Sequence, residues 1–433
     1  MKTNIYTLDN GLKVILVDTQ AFPSVTTLLL VGAGSRYETE KNNGVAHFFE
    51  HMAFKGSKKY PNAFILSSII DGIGGEFNAF TDKDYTGYYV KAPTKYFNTV
   101  VSVIADMVQT PLLKQKEIDK EKGVIVQEIN MYEDNPQRQV FRFYEKLLYD
   151  KTPLGMDVIG SQKTVSTFSQ KTFLDYIHNF YYPSNSVLIV AGGLTSAQNP
   201  DVTIQTYLDE IKHNFNSWKK GQSGSFQAVK DSQSKPATLV KYKKSEQAHL
   251  CLGYRTFSRF DDRKYSLLLL CAILGKGMSS RLFTEVREKR GLAYSVATFD
   301  EQYHEVGNMM TYAGVSTDEK VVLETIKVIL HEYHKIADKG PHDEELKRAK
   351  ELLKGRLVLS MEDTYNIAAL YGRRMLHENK ETSLKAIAKK IDSITKQDVL
   401  DIAKQIFDKK TLNLAVVGPF KKSAPFEKIL AAE

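Results

Sequence analysis

The sequence at residues 44–54 reads Gly44-Val45-Ala46-His47-Phe48-Phe49-Glu50-His51-Met52-Ala53-Phe54. Apolar residues on nearly every side of this stretch predict a buried helix. In a helix His47 and His51 lie four residues apart, and therefore on one face, with Glu50 beside His51. Because unpaired polar groups are costly to bury, these three side chains are expected to have partners inside the protein.

Zinc is the partner that this spacing favours. The ion takes imidazole nitrogens at about 2.0–2.1 Å, and a catalytic site adds one more protein ligand and an open position for water. The order His47-x-x-Glu50-His51 is the reverse of the His-Glu-x-x-His motif and matches the inverted zinc-peptidase signature. Glu50 is then placed as a base rather than as a ligand. The alternative is a helix with two surface histidines, since so short a pattern also arises by chance.

Composition limits the class of protein. A chain of 433 residues suggests two or three domains, and 42% hydrophobic with 25% charged residues is typical of a globular protein. The formal charge of +8 is a mild excess, and no basic tract is interleaved with aromatic residues, so no nucleic-acid partner is expected. Cys251 and Cys271 both lie in apolar runs, which predicts buried free thiols and a reducing compartment.

The first 17 residues contain Asp9-Asn10-Gly11 between two β-rich runs, which predicts a hairpin. This region has no apolar segment of signal-peptide length, and no run approaches the ~20 apolar residues of a membrane helix. The expected location is therefore cytoplasmic, with no membrane span. Whether a leader preceded this sequence stays open.

The order of predicted elements repeats along the chain. A strand, a helix, a hairpin, further helices and a closing strand occur before residue 215, and a similar series follows residue 237. The fold class predicted is α+β, with two homologous halves that each pack a mostly antiparallel sheet against helices. The boundaries are an N-terminal half at 1–215, a flexible Lys-, Gly-, Gln- and Ser-rich linker at 216–236, and a C-terminal half at 237–433. The helix that corresponds to the His47 helix in the second half has no metal-binding pair, so only the first half is expected to bind metal.

The third zinc ligand is not fixed by chemistry alone. Four acids downstream have the right side chain, and nothing in their type chooses among Glu117, Glu121, Glu128 and Glu133.

A family resemblance covers nearly the whole chain. His47-x-x-Glu50-His51, followed after 76 residues by Glu128 with Glu121 seven residues earlier, resembles the pitrilysin or insulinase family of zinc peptidases. The resemblance is strongest to the two-domain branch that includes the mitochondrial processing peptidase. Further matching stretches are Leu8–Leu12, Gly32–Glu38, Phe77–Thr81, Pro153–Gly155, Tyr182–Asn185, Ser279–Phe283 and Arg287–Ser295. Relatives often have His where Thr152 stands and an acid where Gly193 stands, and neither departure involves the metal-binding motif.

The resemblance assigns roles to these residues. It implies that His47, His51 and Glu128 bind one Zn²⁺ per chain, and that Glu121 supports the site from behind the ligands. It implies an endopeptidase that hydrolyses bonds in peptides or unfolded segments through a zinc-bound water, with Glu50 as general base.

Substrate-binding roles also follow from the resemblance. Arg287 and Tyr294 of the second half are implied to bind the substrate backbone and the developing oxyanion. Without the family, a surface arginine and a core tyrosine would be the simpler interpretation of this pair. The strand at Gly75–Thr81 is expected to add an extended peptide at its edge, with Asn78 contacting the substrate.

The expected assembly is a homodimer that joins the zinc of one subunit to the Arg/Tyr pair of the other. A heterodimer with a degenerate homologue is the rival assembly. The alternative function is a non-catalytic partner subunit that binds peptides, since the family includes members without zinc ligands. A third possibility is a peptide-binding protein with structural zinc, which would need a fourth protein ligand.

Overall fold

The structure, a computed structural model, describes residues 1–150, 152–195, 203–230 and 233–432. Strands and helices fill most of these residues. In residues 1–215 they are β1 (Lys2–Thr7), β2 (Lys13–Asp18), β3 (Ser24–Val31), α1 (Val45–Ala53), α2 (Ala63–Gly72), β4 (Glu76–Thr81), β5 (Thr86–Pro93), α3 (Phe97–Gln109), α4 (Gln115–Asp134), α5 (Pro136–Tyr149), α6 (Gln162–Val165), α7 (Gln170–Phe180), β6 (Ser186–Gly192) and α8 (Ile204–Phe215).

In the remainder they are β7 (Ala237–Tyr242), β8 (Ala248–Thr256), α9 (Lys264–Gly275), β9 (Ala293–Gln302), β10 (Gly307–Val315), α10 (Glu319–Lys339), α11 (Asp343–Ser360), α12 (Thr364–Glu378), α13 (Leu384–Ser393), α14 (Lys396–Ile406), β11 (Leu412–Gly418) and α15 (Ala424–Ala432). None of the helices in the described part of the chain has the length and apolar character needed to cross a membrane.

The chain forms two compact units. Unit 1 comprises Met1–Ile129, Met156–Gln227 and Val358–Thr382, and unit 2 comprises Asn130–Gly155, Ala228–Leu357 and Ser383–Glu433. Each unit thus takes in one helical segment from the other half of the sequence. The halves proposed from the sequence describe the repeated order of elements, and their boundaries stay a prediction. Residues 231 and 232 of the predicted linker lie outside the described residues.

Each unit is built on one mostly antiparallel sheet. The strand order is β1-β2-β6-β3-β5-β4 in unit 1 and β7-β11-β8-β10-β9 in unit 2. In each sheet one pair is parallel, β2 with β6 and β7 with β11, and the other described pairs are antiparallel. The second sheet therefore repeats the order and directions of five strands of the first. The predicted α+β class with two homologous halves is confirmed.

The unit 1 sheet is covered on both faces. Every residue of β6 is buried, as are all residues of β3 after Ser24, a pattern typical of strands with no solvent-facing side. Alternate residues of these strands, such as Leu28 and Ile189, pack against Ile367 and Met375 of α12. The central strands are thus buried, with α12 covering one face of the sheet.

The unit 2 sheet has the same arrangement with different helices. Val140 and Tyr144 of α5 pack on one face, against residues of β8 and β11 such as Cys251 and Val417. The other face packs against α9, α10 and α14 in the core of this unit. Cys251 and Cys271 are free and buried, as the sequence predicted.

The segment after α8 forms no helix or strand through residue 230, and its residues up to Gln227 belong to unit 1. The ring of Phe226 lies 3.7 Å from the Arg36 guanidinium carbon. Arg36 in turn forms a buried ion pair with Asp84 at 2.9 Å. This part of the predicted linker therefore covers the loop that leads to α1.

Candidate metal centre

Helix α1 presents the motif on its one polar side. Its apolar residues are buried, whereas the side chains of His47, Glu50 and His51 are only partly so. This division follows from the spacing of the motif, because positions i, i+3 and i+4 share a helix face. The apolar residues anchor the helix, and the three functional side chains project from it together.

The start of α1 is fixed by a buried carboxylate. Glu38 accepts hydrogen bonds from the backbone N–H groups of Gly44 and Ala46, both at 2.8 Å, and from the Asn43 side chain at 2.9 Å. Burial raises the pKa of the Glu38 carboxyl to about 8, and its oxygens satisfy the free N–H donors of the helix N-terminus. Gly44 has φ of 97°, and a Cβ there would lie 2.7 Å from the Ile159 carbonyl oxygen. The turn that leads into α1 therefore requires glycine at this position.

Three potential ligands converge beside α1. The Glu128 carboxylate, on α4, lies 3.7 Å from His47 Nε2 and 3.5 Å from His51 Nε2. One donor atom from each of the three side chains lies within 4.8 Å of the others, and no second such group occurs among the described residues. Of the four acids that the sequence left open, Glu128 is thus the member of this group.

The donor set fits a zinc ion. Two atoms that each bind a tetrahedral ion at about 2.0–2.1 Å are about 3.3 Å apart, close to the separations found here. Burial, followed by the charge of His51, lowers the pKa of His47 to about 3. His47 is therefore neutral at neutral pH, which is the form that binds a metal.

A second set of contacts orients His51. Its Nδ1–H donates to Glu121 at 3.0 Å, which leaves Nε2 directed at Glu128. Lys55 binds the other oxygen of Glu121 at 2.6 Å. Burial raises the pKa of the Glu121 carboxyl, but the hydrogen bonds and charges of His51 and Lys55 outweigh it and hold the pKa below its usual value. Glu121 therefore stays ionised and holds the imidazole in one tautomer.

Glu50 is separate from this ligand group and is held by the sheet. Thr81, the last residue of β4, donates its hydroxyl to Glu50 at 2.6 Å. Burial is the main cause that raises the pKa of the Glu50 carboxyl, and the nearby Glu128 charge adds to it. A carboxylate with a raised pKa accepts a proton more readily than an ordinary one.

Asn78 lies on the open edge of the same sheet. Among the described residues strand β4 pairs only with β5, and Asn78 is exposed on it. Its Oδ1 accepts a hydrogen bond from the Ala79 N–H at 2.8 Å. Phe77 contacts Phe54, directly after α1, with ring centroids 5.4 Å apart. The edge strand is therefore attached to the motif helix at both Phe77 and Thr81.

Arg287 and Tyr294 belong to unit 2 and contact each other. The Arg287 guanidinium carbon lies 5.1 Å from the centre of the Tyr294 ring. Arg287 is in a single π-helical turn, Phe283–Glu288, and Tyr294 is in the edge strand β9. Tyr294 is 75% exposed, so it is not the core residue that the simpler interpretation assumed.

Three residues that contact α1 or the side chains of the site were not predicted from the sequence to have a role there. Lys55 is four residues after His51, a spacing that could have revealed it. Glu38 was noted only within a matching stretch, and its distance from the helix start hides its capping role. Thr81 has no local signal, because its contact with Glu50 depends on how β4 packs beside α1.

Comparison with known proteins agrees with this geometry. Residues 13–162 match the insulinase family, peptidase family M16, and residues 167–353 match the peptidase M16 inactive domain. An uncharacterized zinc protease, YmxG, from Bacillus subtilis is 34% identical, over 96% of this chain and 98% of its own. The human mitochondrial-processing peptidase subunit beta is 28% identical, over 99% of this chain and 87% of its own.

Solved structures have the same fold. A protease from Helicobacter pylori superposes with a TM-score of 0.88 at 22% identity, covering 96% of this chain and 99% of its own. A peptidase M16 inactive domain from Pseudomonas fluorescens superposes with a TM-score of 0.86 at 18% identity, covering 97% of this chain and 98% of its own. The family resemblance drawn from the motifs is confirmed, and the chain belongs to the insulinase family of peptidases, family M16.

Proposed function

We propose that this protein is a zinc-dependent endopeptidase that hydrolyses bonds in peptides or unfolded segments. The observation that carries the proposal is the convergence of His47, His51 and Glu128 within 4.8 Å beside the separately held Glu50 carboxylate. The name zinc protease borne by several relatives agrees with it.

His47, His51 and Glu128 would hold one zinc ion per chain, and Glu121 would keep His51 in its ligating tautomer. When bound, zinc supplies Lewis acidity that lowers the pKa of water toward about 7 and polarises a carbonyl. Glu50 then accepts the proton of the attacking water and passes it to the leaving amine. Burial supports this role because it raises the pKa of the Glu50 carboxyl, and the bond to Thr81, although it acts against that rise, fixes the position of the carboxyl.

Strand β4 would bind the substrate by accepting an extended peptide at its open edge, with Asn78 contacting the peptide. The single pairing of β4 and its attachment to α1 support this placement. Peptides that are already extended pair in this way without first leaving another sheet.

Arg287 and Tyr294 would bind the substrate carbonyl or the oxyanion that develops from it. The exposure of Tyr294 and its contact with Arg287 support a role at a surface that receives a ligand. We infer a homodimer in which Arg287 and Tyr294 of the partner subunit act with the zinc group of the first subunit.

The test uses a mixture of unstructured peptides, analysed by mass spectrometry after incubation with the wild type and with Glu50→Gln, each measured for bound zinc. We expect the wild type to cut and the zinc-loaded Glu50→Gln protein to lose at least about 100-fold in rate. Glu40→Gln, which changes an exposed acid, serves as the control and keeps full activity.

If zinc-loaded wild type and Glu50→Gln both leave every peptide intact, the chain is a non-catalytic subunit or a peptide binder, and the peptidase proposal fails.

A further inference from the structure

Unit 2 contains a cavity of about 550 Å³ that the proposed reaction does not use. One wall is the loop that follows α9, and the other is a face of α11. The residues that matter to its chemistry are Lys276, Gly277, Met278, Arg348, Leu352 and Arg356.

The two walls are fastened together by a well-paired arginine. Arg281 donates from Nε and Nη2 to the two oxygens of Glu345, both at 2.8 Å, and Arg281 is largely buried. Such two-point pairs are among the strongest and most directional of protein hydrogen bonds. Gly277, with φ of 106°, brings the loop close to α11, since a Cβ there would lie 3.4 Å from Leu352 Cδ2. The cavity is therefore formed before any ligand arrives.

The cavity has an excess of positive charge. Glu345, the acid in its lining, is neutralised by Arg281, and Lys276 pairs with Asp300 at 2.9 Å. Arg348 and Arg356 are exposed in the cavity, and neither forms a hydrogen bond or ion pair with any residue in the described ranges. Two guanidinium groups, which bind carboxylates through paired N–H donors, are thus available to a ligand.

The spacing of the arginines selects an elongated ligand. Arg348 and Arg356 are eight residues apart on α11, which places their backbones about 12 Å apart along the helix axis. Leu352 lies midway between them on the same face. An extended peptide advances about 3.3 Å per residue, so it spans the distance between these two backbone positions in about four residues.

We propose that this cavity binds an extended acidic peptide segment. Arg348 and Arg356 each bind a carboxylate of side chains four residues apart in the peptide, and Leu352 and Met278 contact an apolar side chain between them. The peptide nature of the ligand rests on the proposed function, but the cavity requires neither zinc nor Glu50.

The test measures binding by fluorescence anisotropy to full-length Glu50→Gln protein, which keeps the peptide intact. The probe is a labelled peptide containing Glu-Ser-Leu-Ser-Glu, and its neutral match contains Gln-Ser-Leu-Ser-Gln. We expect the acidic peptide to bind at least about tenfold more tightly than the neutral one, since hydrogen bonds between charged groups exceed neutral ones. The double variant Arg348→Gln, Arg356→Gln is expected to remove this difference while its melting temperature stays unchanged.

Lys347→Gln is the matched control, because Lys347 is exposed on the same helix but does not line the cavity. This variant keeps the preference for the acidic peptide. The proposal fails if the two peptides bind equally, or if Lys347→Gln weakens binding as much as the double variant does. It also fails if inorganic phosphate alone binds as tightly as the acidic peptide with the same dependence on the arginines, because the site would then prefer a compact anion. Since binding is measured without cleavage, these outcomes are independent of whether the wild type is a peptidase.

Discussion

At the scale of single residues, the two histidines of the motif differ in the side chains that contact their ring nitrogens. His51 uses both nitrogens, Nδ1 toward Glu121 and Nε2 toward Glu128, whereas the Nε2 of His47 faces Glu128. Lys55 restrains Glu121 from the opposite side. The position of His51 therefore depends on a chain of contacts from Lys55 through Glu121.

We expect Glu121→Gln to weaken zinc binding by about 10- to 100-fold, because the loss of a partner behind a ligating histidine has effects of that size. Gln can accept a hydrogen bond from His51 but loses the charge that attracts both His51 and Lys55. Zinc affinity is measured by competition with a chromogenic chelator, with the melting temperature of the apoprotein recorded alongside.

Lys55→Ala should also weaken zinc binding, but by a smaller factor than Glu121→Gln does. Lys58→Ala, at an exposed lysine three residues further on, should leave it unchanged. If Glu121→Gln binds zinc as tightly as the wild type, Glu121 does not position the metal ligands.

Strand β4 is the element on which the positioning of Glu50 and the expected substrate binding both depend. Its last residue, Thr81, holds Glu50, and its free edge includes the exposed Asn78. A peptide added to this edge would extend a sheet already attached to the motif helix through Phe77.

We expect Asn78→Ala to raise KM by about 2- to 10-fold with little change in kcat, as loss of one substrate hydrogen bond would do. Steady-state kinetics on a peptide identified as a substrate measures both constants. Asn98→Ala, at an exposed asparagine of α3, is the control. An unchanged KM, or a kcat that falls while KM stays constant, would exclude substrate contact by Asn78.

At the scale of the whole molecule, the inferred homodimer makes a prediction about mixed subunits. Glu50→Gln and Arg287→Ala should each be inactive alone. If each site combines groups from two subunits, every mixed dimer has one intact site, so random exchange should restore about a quarter of wild-type activity. If each chain builds its own site, or if the protein is a monomer, mixing restores nothing. Size-exclusion chromatography with light scattering checks that both variants keep the wild-type mass.

Local patterns in the sequence determined many of the helices and strands and the helix faces on which the motif residues lie. The apolar run around His47 predicted a buried helix, and the i,i+4 rule placed His47 and His51 on one face, because helix geometry depends only on neighbouring residues. Glu121 and Glu128 are seven residues apart, about two helical turns, a spacing that also places them on one face of α4. Turn residues and β-rich runs predicted the first hairpin and the strands of the motif region, and β1 and β2 form where expected.

Tertiary structure alone decided which distant groups meet. Glu117, Glu121, Glu128 and Glu133 were equivalent as residue types, and only the packing of α4 beside α1 brings Glu128 to both histidines and Glu121 to the far side of His51. The contact of Thr81 with Glu50 has the same origin.

The helices that cover the sheets were also fixed only in three dimensions. Helix α5 follows His47, His51 and Glu128 in sequence yet belongs to unit 2, and α12 comes from the second half yet packs on the sheet of unit 1. An amphipathic sequence specifies that a helix must bury one face, but not which apolar surface covers it. Both sheets offer suitable surfaces, so the assignment depends on long-range packing that no local pattern encodes.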